Sequence, residues 1–135
     1  MKRPFSLSLS LLLLLLFSGC HSQFMNQEQL LDPQEFELGY KKQINAVLLD
    51  VRSNDEIKNG HLEDAVFINY MDENFEAYLS YLRKDLPYYI YCNTTTKTIP
   101  ASKIMKSMGF KHVFILKGGI QQWHQEGKKI IYPQT

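Results

Sequence analysis

The stretch Pro87–Phe110, PYYIYCNTTTKTIPASKIMKSMGF, decides the fold class of this chain. Its first five residues, Pro87–Tyr91, are rich in tyrosine and isoleucine, which is typical of a buried strand. Pro100 stands where a helix would begin, and apolar residues at helical spacing continue as far as Gly109. The stretch therefore predicts a strand, a polar loop and a helix, with Cys92 directly after the strand.

The same alternation of strands and helices extends to both sides of this stretch. The predicted elements are, in chain order, a helix from Pro33 to about Lys41 with Asp32 as its N-cap, a strand at Ala46–Leu49, a helical turn at Ser53–Lys58, a strand at Ala65–Ile68, a helix within Asp72–Arg83, the strand and helix above, a strand at His112–Leu116, a turn at Gly118-Gly119 and a helix at Ile120–Gln125. Such alternation predicts an α/β fold with a mostly parallel sheet flanked by helices on both faces.

Composition limits the classes of protein that fit. The chain has 135 residues with 44% hydrophobic residues, which indicates one globular domain. Its 15 Lys and Arg balance 14 Asp and Glu, so no nucleic-acid partner is expected. Two cysteines are too few for a disulfide scaffold or a cysteine-rich zinc site, and no metal or cofactor is expected.

The N-terminus predicts export and lipid attachment. Lys2 and Arg3 precede the apolar run Leu11–Leu16, which is typical of a signal peptide and too short to span a bilayer. The next four residues, Phe17–Cys20, resemble the lipobox of bacterial lipoproteins. That resemblance implies a signal peptide over residues 1–19, acylation of Cys20 by chains such as palmitate, and a protein anchored in the cell envelope outside the cytoplasm. An ordinary cleaved signal with a nearby cysteine is the alternative.

The segment after Cys20 is polar and predicts a tether over residues 20–30, followed by a domain over residues 31–135. With Cys20 acylated, Cys92 is the remaining thiol and has no intrachain disulfide partner. Nothing in the sequence indicates the oligomeric state or which membrane holds the anchor.

The predicted position of Cys92 favours a role in a ligand-binding or catalytic site. Ligand sites in open parallel sheets lie beyond the carboxyl ends of the strands. The loop after Cys92 leads into a helix N-terminus, where free N–H groups and the helix dipole stabilise a thiolate. We therefore predict Cys92 as a nucleophile, the alternative being a small buried residue at a strand end. The residues predicted to bind substrate are Asn93, Thr94, Thr95, Thr96, Lys97, Thr98 and Arg52. For Arg52, an ion pair with Asp50 is the alternative to steering anions.

Three segments together resemble the single-domain rhodanese family. They are Leu48–Arg52 with Glu56 and Gly60–Leu62, then Tyr91-Cys92 with its loop and Ala101, then Leu116–Ile120 with Trp123 and Gly127. The resemblance implies a sulfurtransferase in which the Cys92 thiolate takes a sulfane sulfur from a small donor, becomes a persulfide and passes the sulfur to a thiol or another nucleophile. It also implies that the amides of residues 93–98 hold the persulfide anion.

The loop departs from the family pattern at three positions. Asn93 and Lys97 stand where the family commonly has arginine, and Thr95 stands where it has glycine. Lysine is a point charge that lacks the bidentate geometry of arginine, so we expect thiosulfate to be a poor donor and an organic persulfide or polysulfide to be preferred.

Two other functions are considered. A phosphatase of related fold needs arginine six residues after its cysteine, but Thr98 stands there, which argues against phosphoryl transfer. A non-catalytic rhodanese-fold module that binds a partner or senses oxidants through Cys92 is the second hypothesis.

Overall fold

The computed structural model describes residues 28–133, which contain five strands and five helices. The strands are β1 Gln29–Leu31, β2 Val47–Asp50, β3 Val66–Phe67, β4 Pro87–Tyr91 and β5 His112–Leu116. The helices are α1 Pro33–Lys42, α2 Asn54–Ile57, α3 Phe75–Ser80, α4 Thr98–Ser107 and α5 Gly119–Gln125. All strands pair in parallel in the order β1-β5-β4-β2-β3, which confirms the predicted α/β class.

The central strand β4 fixes the position of the site. It pairs with β2 on one side, with Tyr91 opposite Asp50, and with β5 on the other, with Ile90 opposite Ile115. Because the strands are parallel, the chain leaves β2 and β4 at the same edge of the sheet. Arg52 and Cys92 therefore emerge next to each other.

Two apolar clusters cover the two faces of the sheet. Ile90 belongs to the cluster that α3 and α4 cover, whereas Tyr89 belongs to the cluster that α1 and α5 cover. Successive residues of a strand point to opposite faces, so a continuous apolar run is buried on both sides. The prediction of helices on both faces is confirmed.

The predicted tether ends too late in the sequence, because β1 begins at Gln29. Gln29 and Leu30 fall within the predicted tether, but Gln29–Leu31 pair with β5, with Leu30 opposite Ile115. The strand has three residues and lies at the exposed edge of the sheet, so it lacks the periodicity that reveals longer strands. The predicted signal peptide and Cys20 lie outside the described residues.

The bounds of α3 and α4 differ from those predicted, and α2 and α5 differ by one residue at one end or both. α3 covers Phe75–Ser80 and is shorter than the predicted segment Asp72–Arg83. α4 begins at Thr98, before Pro100, so Thr98 belongs to the helix and not to the loop. No helix in the described part of the chain has the length and apolar character needed to cross a membrane.

Candidate functional site

Cys92 lies directly after β4 and is buried. Its exposed fraction is 1%, and it packs in the apolar cluster together with Ala101 of α4. Its Sγ lies 3.9 Å from Oγ1 of Thr98, whose hydroxyl also donates to the Thr95 carbonyl at 3.2 Å. The thiol thus faces the first turn of α4 at the carboxyl edge of the sheet, as predicted, but solvent does not reach it without a movement of the loop.

The loop after Cys92 presents unoccupied backbone donors. Among the described residues, no protein group accepts a hydrogen bond from the N–H of Thr94, Thr95, Lys97 or Thr98. The N–H of Thr96 makes a long contact of 3.4 Å with Oγ1 of Thr94. Free N–H groups beside a helix N-terminus form a favourable environment for an anion.

The start of α5 holds the other side of the loop. The N–H of Ile120 donates to the Cys92 carbonyl at 2.9 Å, and the N–H of Gln121 donates to the Asn93 carbonyl at 3.1 Å. Gly119 has φ of +60°, and a Cβ atom there would lie 2.5 Å from the Asn93 carbonyl oxygen. Only glycine allows this close approach, so the Gly118-Gly119 pair fixes where the loop begins.

Glu56 of α2 links the Cys92 loop by hydrogen bonds to the segment that follows β2. Its carboxylate accepts hydrogen bonds from Asn93 Nδ2 and from Lys97 Nζ, both at 2.7 Å. The N–H of Ser53 donates to it at 2.8 Å, and the Ser53 hydroxyl completes a capping box at the start of α2. Partial burial raises the pKa of Glu56, but the hydrogen bonds from Lys97 and Ser53 outweigh it and lower the pKa to about 2.

Arg52 forms a buried ion pair. Its Nη2 donates to Asp50 Oδ2 at 2.6 Å and to the Gly60 carbonyl at 2.8 Å, and both charged residues are at most 2% exposed. Burial opposes the charge of Arg52, but hydrogen bonds to Asp50 outweigh it and raise the pKa of the guanidinium. Its Nη1 lies 3.4 Å from Oδ1 of Asn93. Arg52 therefore contacts the loop at Asn93, and protein groups accept hydrogen bonds from its guanidinium.

The remaining predicted loop residues have local roles. The hydroxyls of Thr94 and Thr96 share a hydrogen bond of 3.0 Å. Among residues 28–133, the non-glycine residues with positive φ are Asn45 and Asp64, so Thr95 occupies an ordinary backbone conformation although the family commonly has glycine there. The loop accommodates threonine without left-handed strain.

A cavity of about 240 Å³ opens beside the loop on the side of α5. Asn93, Gln121 and His124 form part of its walls, and Cys92 is not among the residues that line it. No cluster of three or more His, Cys, Asp or Glu with metal-binding geometry occurs in the described part of the chain.

Glu56 is a site residue that was not predicted. It belongs to the first segment that resembles the family, but it contacts Lys97 of the loop, which lies 41 positions later in the sequence. The capping pattern Ser53–Glu56 could have indicated a helix start, yet it carries no information about a distant partner.

Comparison with known proteins establishes the family. The sequence profile of the rhodanese-like domain matches residues 32–126. The chain belongs to the rhodanese-like family. The matched region includes every predicted substrate-binding residue and Cys92, so this rhodanese-like domain contains the whole candidate site.

Curated relatives of the rhodanese-like domain have several names. The uncharacterized protein YqhL of Bacillus subtilis is 31% identical over 93 residues, which are 69% of this chain and 70% of that protein. The thiosulfate sulfurtransferase GlpE of Shewanella oneidensis is 27% identical over 58% of this chain and 75% of its own length. A tRNA uridine(34) hydroxylase of Chlamydia abortus is 31% identical over 79% of this chain, but the chain spans only 34% of that relative.

Solved structures agree on the fold. A rhodanese-related protein from Thermoplasma volcanium superposes with a TM-score of 0.69 at 20% identity, covering 78% of this chain and 99% of that one. At this identity the likeness concerns the fold and not the activity.

Proposed function

We propose that the chain is an envelope-anchored sulfurtransferase that carries sulfane sulfur as a persulfide on Cys92. The observation that carries the proposal is the set of N–H groups of Thr94, Thr95, Lys97 and Thr98, which have no acceptor among the described residues and lie between the one thiol of those residues and the start of α4. Free N–H groups at the start of a helix form a favourable environment for the persulfide anion. The kinship with a thiosulfate sulfurtransferase adds support.

The reaction has two transfers. In the first, the Cys92 thiolate attacks the outer sulfur of a donor, a new S–S bond forms, and the donor leaves with the electron pair of the broken bond. Thiosulfate leaves as sulfite, and an organic persulfide leaves as a thiolate. In the second, an acceptor thiolate attacks the outer sulfur of the Cys92 persulfide and regenerates the Cys92 thiolate. The terminal sulfur is anionic, and the free amides supply the stabilising dipoles.

The charges around the loop favour an organic donor. Lys97 is paired with Glu56, and Arg52 is paired with Asp50. Neither cation is therefore free to neutralise a thiosulfate dianion. A persulfide of an organic thiol carries less charge and depends mainly on the amides.

Burial of Cys92 makes loop opening a step of the reaction. A donor must reach a sulfur that is 1% exposed, so the loop has to move away from the α4 N-terminus. The contacts of Glu56 with Asn93 and Lys97 oppose this movement and set how often it happens.

The test is a transfer assay with paired variants. Wild-type protein and Cys92→Ser are incubated with an organic persulfide or with thiosulfate, and sulfur delivered to a thiol is measured. We expect turnover by wild type, more with the organic persulfide, and none by Cys92→Ser. Equal rates for both proteins with every donor would reject the proposal.

A second function is favoured by two observations. The burial of Cys92 and the pairing of Lys97 also fit a rhodanese-fold module that binds a partner or senses oxidants without transferring sulfur. Such a module would bind its partner equally well as wild type and as the Cys92→Ser variant, and it would form no persulfide.

We also propose that Cys20 is acylated and holds the domain on the outer side of a bacterial membrane. The support is the order of basic residues, apolar run and Phe17–Cys20 in the sequence. Mass analysis of the N-terminal peptide from membranes should show acyl chains on Cys20. The Cys20→Ala variant should lack them, whereas Cys92→Ser should keep them; an unmodified N-terminal peptide in wild type would reject the anchor.

A further inference from the structure

The described domain has an excess of basic residues at one edge of its sheet. Because all strands are parallel, their N-terminal ends meet at one edge of the sheet, opposite the edge that holds Cys92. The basic residues on the helix ends and loops at this edge, here named the basic edge, are Lys41, Lys42, Arg83, Lys84, Lys103, Lys106 and Lys111. They are seven of the 15 Lys and Arg in the chain, whereas the acidic residues on or against this edge are Glu28, Glu37 and Asp85.

Contacts show that the basic edge is one continuous surface. The N–H of Lys111 donates to the Lys84 carbonyl at 3.1 Å. A shallow cavity brings Lys42 together with Asp85 of the next loop, and another brings Lys103 together with Glu28. The charges therefore belong to neighbouring segments of the domain.

Four of these lysines form no direct ion pair. Lys42, Lys84, Lys103 and Lys111 are exposed and make none within the described residues. The hydrogen bond from Arg83 lowers the pKa of the Asp85 carboxyl, and Lys111 lies close enough to Asp85 to help lower it. Ile44 is 87% exposed among them. An exposed apolar side chain within a basic surface is typical of proteins that rest on a lipid interface.

Helix dipoles explain only part of this pattern. Lysines in the last turns of α1 and α4 are stabilised by the partial negative charge at a helix C-terminus. Arg83, Lys84 and Lys111 lie in loops, where that explanation does not apply. Three ion pairs, Lys41–Glu37, Arg83–Asp85 and Lys106–Glu28, balance part of the charge at this edge, and the remaining four of its seven basic residues are in excess.

The chain enters the domain at the same edge. β1 begins at Gln29, and its N-terminal end belongs to the basic edge. Seven residues separate Cys20 from Glu28 in the sequence, and a segment of that length spans at most about 25 Å when extended. A lipid on Cys20 would hold the basic edge close to the bilayer.

We propose that the basic edge docks on anionic phospholipid headgroups and thereby turns the Cys92 edge away from the membrane. This inference rests on the lipid attachment proposed above and is independent of the sulfur chemistry. Phosphate groups of the headgroups would neutralise the unpaired lysines, and the Cys92 loop would face soluble donors and acceptors.

The test uses the acylated full chain in vesicles of two compositions. One set contains phosphatidylcholine alone, and the other contains phosphatidylcholine with phosphatidylglycerol. Lysines are acetylated with acetic anhydride and quantified by peptide mass analysis. We expect Lys42, Lys84 and Lys111 to be labelled several-fold more slowly in the anionic vesicles and to regain their labelling at high salt. Lys58, Lys117 and Lys129, whose side chains are at least 57% exposed, should be labelled equally in both.

Matched charge reversals make the test specific. In the triple variant K42E, K84E and K111E, the acetylation of Lys103 and Lys106 is measured, and we expect these two lysines to lose their protection by anionic vesicles. In the control variant K58E, K117E and K129E, the same two lysines should stay protected. Equal labelling in both kinds of vesicle, or equal loss of protection in both triple variants, would overturn the proposal. Protection of the same lysines by a mixed-sequence RNA but not by anionic vesicles would also overturn it. The mass of the N-terminal peptide from the same sample reports acylation separately, so failure of the anchor is distinguished from failure of the docking.

Discussion

Lys97 Nζ donates to the Glu56 carboxylate at 2.7 Å, so the one basic residue of the Cys92 loop is neutralised by a side chain of α2. The same carboxylate binds Asn93, the residue next to Cys92. One acidic side chain therefore holds both ends of the loop, and its removal should change how readily Cys92 becomes accessible.

Glu56→Gln should open the loop more often. The neutral amide loses its charge-assisted hydrogen bonds, which stabilise a site by about 1.5–3 kcal/mol each. We expect alkylation of Cys92 by iodoacetamide, followed on its tryptic peptide, to become roughly tenfold faster. Asp55→Asn is the matched control, because Asp55 binds the exposed Lys58 and not the loop. Equal alkylation rates in wild type and Glu56→Gln would contradict the role of Glu56.

The contribution of Glu56 should depend on pH in the acid range. Its pKa in the folded protein is about 2, below its ordinary value of 4.5. A depressed pKa stabilises the fold fully above pH 4.5, and this stabilisation is lost as the pH falls towards 2. After allowance for solvent screening, the difference in free energy of unfolding between wild type and Glu56→Gln should be on the order of 2 kcal/mol near neutral pH. Urea unfolding should show this difference shrinking between pH 4.5 and 2; a constant difference across that range would contradict the assignment.

Asp50→Ala should destabilise the fold strongly. It leaves the 2% exposed Arg52 without its partner, and an uncompensated buried charge costs about 3–5 kcal/mol. Chemical denaturation measures the loss. Asp85→Ala removes the partner of Arg83 in an exposed pair and should change stability little. Similar losses for both variants would mean that the Asp50 pair is not the buried support described above.

Gly119→Ala should displace the Cys92 loop. The added Cβ would meet the Asn93 carbonyl at 2.5 Å, and the residue has positive φ. We expect a loss of about 2–4 kcal/mol in unfolding free energy, combining backbone strain with overpacking. Gly127→Ala is the control, since Gly127 also has positive φ but has nothing within 4 Å of the added atom, and it should lose only about 1–2 kcal/mol. Equal losses would show that the contact with Asn93 is unimportant.

The elements with strong local signals could be predicted from the sequence. Pro87–Tyr91 and His112–Leu116 form strands at the predicted residues, because a short apolar run beside clear turns permits few other structures. Strand β1 was missed because it has three residues and depends on pairing with β5 for its existence. Such pairing is a tertiary contact that no local pattern encodes.

The place of Cys92 after β4 could be predicted from the sequence, but the ion pairs around its loop could not. The order of strand, Cys92 and helix follows from local pattern, and the carboxyl edge of a parallel sheet follows from topology. The partner of Lys97 could not be predicted, because Glu56 lies 41 residues away and reaches the loop only through the folded arrangement. The burial of Cys92 depends in the same way on how the loop packs against α4.

The most direct test of the central claim is the intact mass of the protein under non-reducing conditions after treatment with an organic persulfide. We predict that wild type gains the mass of one sulfur atom, located on the Cys92 peptide and removed by a thiol, while Cys92→Ser gains none. A wild-type mass that stays unchanged with several donors, including in the Glu56→Gln variant with its more open loop, would contradict sulfur transfer through Cys92.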